Sequence, residues 1–175
     1  MALPKRKPLR MQGYDYDENG HYFVTICTAE HKEILSSIIV GEGLAPPEVR
    51  LSALGKIAEK QINEISKRYK TVTVEKYVIM PNHIHMLIFI DRLDAGGASP
   101  SPTLSDIICS FKSLATREIK KFCPLTNFWQ RSFYDHVIRS EADYLKHYDY
   151  IENNPVDWIM GKHTDTFPEN LGQSI

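Results

Sequence analysis

Two histidines one residue apart, in Pro81-Asn82-His83-Ile84-His85-Met86-Leu87-Ile88, have the types and spacing best suited to chemistry in this chain. The run around them reads as a buried β-strand, and side chains two apart on a strand leave the same face. Both imidazoles therefore point one way, at a spacing that suits a shared metal ion. Burying such rings requires hydrogen-bond partners, and two on one face beside Leu87 and Phe89 ask for a reason. A metal supplies one, since neutral imidazole ligates Zn, Mn, Fe or Cu. A plainer reading stays open here: two ordinary strand histidines, one hydrogen-bonded and one facing solvent.

A second candidate lies in Glu141-Ala-Asp-Tyr-Leu-Lys-His-Tyr-Asp-Tyr-Ile-Glu-Asn-Asn-Pro155. Tyr144, Leu145, Tyr148 and Ile151 follow helical spacing and read as the packing face. His147, Tyr150 and Asn154 lie three and four apart on another side. A tyrosine between a histidine and an asparagine could be a nucleophile beside a metal. It would need activation, because a phenol with a pKa of about 10 is mostly protonated at neutral pH. The chain has nine tyrosines, most of them structural, so spacing alone does not single out Tyr150.

These residues need elements to position them. At 175 residues the chain fits one domain, long enough to bury roughly two-thirds of its unfolded surface. His21 to Thr28 is a short β-like run, and Gly41-Glu42-Gly43 with Pro46-Pro47 marks a loop. Helical spacing runs from Leu51 to about Lys67. Thr71 to Met80 and His83 to Ile90 are strands separated by Pro81-Asn82, which suggests an antiparallel hairpin. After a loop from Asp94 to Pro102, Thr103 and Asp106 form a cap signal for a helix with a stripe of Leu104, Ile107, Ile108, Phe111, Leu114 and Ala115. Phe133 to Arg139 is a further strand. Ser140 with Asp143 caps a last helix, which Pro155 should end near Asn154.

The first six elements follow the β-α-β-β-α-β ferredoxin-like order, so the expected class is α+β. An antiparallel sheet then packs on two helices, with His83 and His85 on its open face. Ile84, Met86, Ile88 and Ile90 should face the helices. The expected organisation is a basic arm at 1–20 (Lys5, Arg6, Lys7, Arg10), one domain at 21–158 and a tail at 159–175.

The formal net charge is −1, so any nucleic-acid signal rests on local clusters. Lys112, Arg117, Lys120 and Lys121 form one, and Arg131 and Arg139 flank the aromatic segment that follows. The basic opening is not followed by an apolar run, so it does not resemble a signal peptide, and no stretch reaches the length of a membrane span. Three cysteines, Cys27, Cys109 and Cys123, cannot all pair internally, so a reducing cytoplasm is expected.

Three motifs in order carry a resemblance: Met80-Pro81-Asn82-His83-Ile84-His85; Phe128-Trp129-Gln130 with Tyr134-Asp135-His136-Val137-Ile138-Arg139; and Tyr148-Asp149-Tyr150-Ile151-Glu152-Asn153-Asn154-Pro155. Over roughly His21 to Trp158 the chain resembles the IS200-like transposase domain, especially its REP-associated tyrosine transposase branch. The resemblance implies an HUH endonuclease with His83 and His85 as metal ligands, Tyr150 as nucleophile and Asn154 as third ligand. Asparagine there matches the REP-associated branch, whereas insertion-sequence members often carry glutamine. It also implies single-stranded DNA with a hairpin or palindromic repeat as partner, and Mg²⁺ or Mn²⁺ as cofactor.

On that basis the expected activity is metal-dependent cleavage and strand transfer of single-stranded DNA through a 5′-phosphotyrosine, a transposase-like DNA recombination. Lys112, Arg117, Lys120, Arg131 and Arg139 are candidates for phosphate contact. Trp129 could stack an unpaired base, with core packing as its plainer role. Gln130, His136 and His147 complete the candidate DNA-contacting set. A histidine-based nucleotide hydrolase would want a third histidine near Leu87, and a two-histidine phosphodiesterase a second His-x-Ser/Thr motif; neither exists. A non-catalytic DNA-hairpin-binding protein of the same fold is the remaining alternative. A monomer and a homodimer are both compatible with the sequence.

Overall fold

The computed structural model describes residues 20–41, 46–91, 102–123 and 127–161. In chain order the elements are β1 (Gly20–Cys27), β2 (Ser36–Ile39), β3 (Glu48–Leu51), α1 (Ala53–Asn63), α2 (Ile65–Arg68), β4 (Val72–Ile79), β5 (His83–Ile90), α3 (Leu104–Ile119), β6 (Tyr134–Ile138) and α4 (Glu141–Ile159). Four strands pair in the order β4-β5-β1-β6, every neighbour antiparallel. With α1 and α3 as the connecting helices, this is the expected α+β, ferredoxin-like arrangement.

Strand alternation divides the sheet into two faces. Tyr22, Val24 and Ile26 of β1 and Ile84, Met86, Ile88 and Ile90 of β5 pack against Ala58 and Ile62 of α1 and Ile107, Ile108, Phe111 and Ala115 of α3. Each such aliphatic or aromatic side chain contributes roughly 1.5–3 kcal/mol of burial. The opposite parity gives Phe23 and Leu87, which meet Ile151 of α4.

Helix starts follow the caps read from sequence. Thr103 and Asp106 form a reciprocal capping box, and the Ser140 hydroxyl accepts from Asp143 N–H. The start of α1 is bound more closely: Ser52 N–H donates to the Leu35 carbonyl at 2.9 Å, and Ser52 Oγ donates to the Ile34 carbonyl at 2.7 Å. Gly55 lies under that contact. A Cβ there would stand 2.0 Å from the Leu35 carbonyl oxygen, so only glycine fits.

In β4 the ladder shifts register between Val74 and Lys76, which makes Glu75 the extra residue of a β-bulge. Val72 and Val74 before it, and Tyr77 and Ile79 after it, all face α1 and α3. Lys76 instead reaches toward α4, where its ammonium pairs with Glu152 and lies 3.7 Å from the Tyr148 ring centre. Glu75 bonds Tyr144 and lies 3.4 Å from His21 Nε2.

Three expectations need correction. First, α4 does not end near Asn154 but runs through Pro155 to Ile159. Proline deprives the Ile151 carbonyl of its helical donor, yet packing outweighs that loss: Asn154 and Pro155 are buried, and the Trp158 ring lies tilted against that of His83, 5.9 Å between centres. Second, Leu145 and Tyr148 do not form the buried face. They are 51% and 38% exposed, while His147, Ile151 and Asn154 face the sheet. The second sheet face is therefore covered, not open. Third, a small antiparallel hairpin of β2 and β3, for which the sequence predicts no strands, flanks the loop marked by residues 41–43 and 46–47, and Leu51 belongs to β3 rather than to the helix.

The basic arm, most of the loop at 94–102 and the chain beyond 161 lie outside the described residues. Among the described residues, no helix is long and apolar enough to cross a membrane. Gly55→Ala should lower folding stability by about 1–3 kcal/mol by forcing α1 off the Leu35 carbonyl. Urea unfolding reads this as a reduced midpoint, and an unchanged midpoint would show that the contact yields freely.

Candidate metal and nucleophile site

His83 and His85 leave β5 on the face toward α4, with ring centres 4.5 Å apart. His85 is 4% exposed. Its Nδ1 lies 2.8 Å from Oγ1 of Thr25, the residue directly opposite on β1. Its Nε2 is buried and has no hydrogen-bond partner among the described residues. Burial, followed by the neighbouring rings of His83 and His147, pushes the His85 pKa well below the ordinary value. The ring is therefore neutral at pH 7, the form that ligates metal. His83 is half-buried, and its Nδ1 lies 2.6 Å from Asn82 Oδ1.

Tyr150 closes the site from above. Its ring centre is 5.1 Å from that of His85 and 5.8 Å from that of Phe23. Burial raises the phenol pKa, and a hydrogen bond from Asn154 works in the other direction. Asn154 is 6% exposed and lies on the same helical face as Tyr150, since the helix continues through Pro155. The residues singled out in sequence as ligands and nucleophile thus converge. The buried Nε2 of His85 leaves a polar atom that a Lewis acid would satisfy if it is unprotonated, and the donor set of two imidazoles and an amide suits a divalent ion.

A second constellation adjoins the first. Asp143 accepts from His136 Nε2 at 2.9 Å and lies 3.2 Å from His147 Nδ1, which also donates to the Asp143 carbonyl at 2.8 Å. Burial alone would raise the Asp143 pKa, but the bonds from His136 and from Arg139 N–H hold it below the usual value. Ligand atoms of these three side chains lie within 4.8 Å of one another, a His/Asp/His set consistent with metal binding. Phe23 stands between the two constellations, 5.1 Å from His85 and 4.7 Å from His147 between ring centres. His147 is 2% exposed, so it packs inside rather than reaching outward.

The basic candidates gather elsewhere. A cleft of about 510 Å³ is lined by Lys112, Arg117, Lys120, Trp129, Gln130 and Arg131, among others. Lys112 is committed internally: its ammonium donates to the carbonyls of Gln130 at 2.6 Å and Ser132 at 3.1 Å. Trp129 packs on Phe111 and Phe128 at the edge of the core. Gln130 lies 2.8 Å from His31 Nε2, and its N–H donates to the Cys27 carbonyl at 2.9 Å. Cys27 pairs with His83 in the sheet, so cleft and histidine pair share one sheet end. Arg139 lies apart, lining a smaller pocket with His21 and Tyr144.

Thr25, Asn82, Phe23, Asp143 and Trp158 are the site residues that spacing alone missed. Only Asn82 carried a local signal, as the neighbour of His83 within the motif; the others required knowledge of strand register and of how α4 lies.

Comparisons with known proteins bear on the family and the fold. The family described as "Transposase IS200 like" matches residues 47–154. An uncharacterised protein of Haemophilus influenzae is 32% identical over 171 residues, covering 90% of this chain and 92% of that protein. A second Haemophilus influenzae protein, which carries the REP-associated tyrosine transposase name, is 34% identical over 142 residues, covering 63% and 76%. The REP-associated tyrosine transposase of Escherichia coli K12 is 31% identical over 106 residues, and the match spans about half of that protein, 55%. Among solved structures, a REP-associated tyrosine transposase bound to a REP hairpin superposes with a TM-score of 0.54 at 22% identity, covering 85% of this chain and 74% of that one, which supports the fold. With the paired histidines, the helix-borne tyrosine and these matches together, the chain belongs to the IS200-like transposase family, in its REP-associated tyrosine transposase branch.

Proposed function

We propose that the protein is a metal-dependent endonuclease and strand transferase for single-stranded DNA carrying a hairpin or palindromic repeat, with Tyr150 as nucleophile. The observation that carries this reading is the convergence of His83, His85, Tyr150 and Asn154 around the unpartnered Nε2 of His85. A divalent ion, Mg²⁺ or Mn²⁺, held by His83 and His85 with Asn154 as candidate third ligand, would supply positive charge against a scissile phosphate oxygen.

The chain's own residues do the rest. Asn154 hydrogen-bonds the Tyr150 hydroxyl and fixes the direction of attack. As Tyr150 Oη loses its proton and bonds to phosphorus, the bond from phosphorus to the 3′ oxygen breaks. That oxygen leaves as a 3′-hydroxyl after taking up a proton, and a 5′-phosphotyrosine remains. Rejoining is the reverse attack by another 3′-hydroxyl, so no ATP is consumed. Phe23 and α4 exclude water from the buried side of His85.

Arg117, Lys120 and Arg131 are proposed to contact DNA phosphates along the cleft, with Gln130 at its edge. Lys112 supports that surface by holding the 130–132 carbonyls, and Trp129 by packing beneath it. His136 and His147 tie α4 to β6 through Asp143. The free state of Cys27, Cys109 and Cys123 accords with a reducing cytoplasm.

A hairpin oligonucleotide with a nearby unpaired cleavage site, incubated with Mn²⁺ or Mg²⁺, should yield a covalent protein–DNA adduct that peptide mass spectrometry maps to Tyr150. Tyr150→Phe should abolish the adduct while retaining DNA binding. An undiminished adduct in that variant would refute the nucleophile assignment, and binding without any adduct in the wild type would leave a hairpin-binding protein. In salt titrations of binding, Arg117→Ala, Lys120→Ala and Arg131→Ala should each reduce the slope by about 1. Slopes equal to wild type would remove the cleft from the DNA path.

A further inference from the structure

We infer that Thr25 and Asn82 are positioning residues that set the tautomers of His85 and His83, so that both rings offer their Nε2 lone pairs to the same space. The inference rests on the metal reading for its purpose, but its geometry stands in the metal-free protein. A neutral imidazole carries one N–H, and in free histidine the proton favours Nε2, which would block that atom as a ligand. An acceptor placed at Nδ1 reverses the preference.

Both acceptors are in place and both are buried. Asn82 Oδ1 lies 2.6 Å from His83 Nδ1, and Asn82 is 6% exposed. Thr25 Oγ1 lies 2.8 Å from His85 Nδ1, and Thr25 is 4% exposed. A carboxamide oxygen can only accept, so His83 must donate from Nδ1. A hydroxyl can donate or accept, and the environment of His85 decides between these. If Thr25 donated, Nε2 would carry a proton buried with no acceptor, and no metal could enter. If Thr25 accepts, the orphan at Nε2 is a lone pair, which a divalent ion satisfies.

These acceptors are themselves held. The Asn82 carbonyl receives the Thr28 N–H at 2.9 Å and the Thr28 hydroxyl at 3.0 Å, which locks the turn before β5. Thr25 faces His85 across the β1–β5 ladder, so strand pairing alone places its hydroxyl. Threonine also meets the strand's preference for a β-branched residue, which valine would meet equally. The hydroxyl is therefore what this position adds.

The test uses ¹⁵N-histidine-labelled full chain without metal, read by long-range ¹H–¹⁵N NMR, and Mn²⁺ binding by calorimetry. In the wild type both rings should show protonated Nδ1 and unprotonated Nε2. Thr25→Val should move the His85 proton to Nε2, and Asn82→Leu should do the same for His83. Each should weaken Mn²⁺ binding by about 10–100-fold. Thr25→Ser and Asn82→Asp, which keep an acceptor, should restore both tautomer and affinity, and thermal melting checks that all variants are folded. A wild-type His85 protonated at Nε2, or an unchanged tautomer in folded Thr25→Val, would overturn the inference. The expected tautomers in a wild type that takes up no Mn²⁺ would uphold it while refuting the metal reading.

Discussion

A strand that buries imidazoles must find a partner for every ring nitrogen, because an unpaired polar atom away from water costs about as much as several ordinary contacts contribute. The second face of this sheet is organised around that requirement. His85 is enclosed by Thr25, Phe23 and Tyr150, and the Nδ1 atoms of His85 and His147 have polar partners in Thr25 and Asp143. Among the described residues, the imidazole nitrogen buried without a partner is Nε2 of His85, whose ring lies beside those of His83 and Tyr150. An otherwise satisfied layer with one deficit is a sharper signal than a polar cluster, since structural burial alone would have filled or removed it.

The covering helix is held by its ends and flank rather than by an apolar stripe. At its start, the Asp143 carboxylate joins His136 of β6 to His147; along its side, Lys76 meets Glu152 and Tyr148; near its end, Trp158 lies against His83. Of the buried side chains between them, Ile151 and Pro155 are apolar and His147 and Asn154 are polar. Such a helix fixes a side chain accurately, as the role proposed for Tyr150 requires, while depending less on hydrophobic burial than α1 and α3 do.

Much of the sheet was legible from the chain. The bounds of β5 follow from Pro81-Asn82 and the apolar run, and the parity of His83 and His85 against Ile84 and Met86 is a property of strand geometry. The starts of α3 and α4 follow from local side-chain bonds at Thr103 and Ser140. The orientation of α4 did not, because hydrophobicity is a poor guide where the buried face is polar: Leu145 looks inward by pattern and faces solvent, and Asn154 the reverse. Pro155 misled similarly, since a local backbone preference is weaker than the packing of Trp158. The β2–β3 hairpin has short, half-exposed strands whose pattern scarcely differs from a loop. Tyr150 and Asn154 were identified by family resemblance more than by spacing, and Thr25 required the strand register.

The bulge in β4 carries a consequence for how this lineage can vary in length. Before Glu75 the residues facing α1 and α3 are even-numbered, Val72 and Val74, and after it they are odd-numbered, Tyr77 and Ile79. Deleting Glu75 would restore uninterrupted alternation with neither half turned over, since Val74, Lys76 and Tyr77 already pair with consecutive residues of β5. Lys76 would keep its clasp on α4, and what would be lost is the contact of Glu75 with Tyr144 and His21. The bulge is thus the point at which this edge strand can gain or lose one residue without exchanging its faces. A one-residue insertion within the regularly paired stretches on either side would need a bulge of its own to do the same.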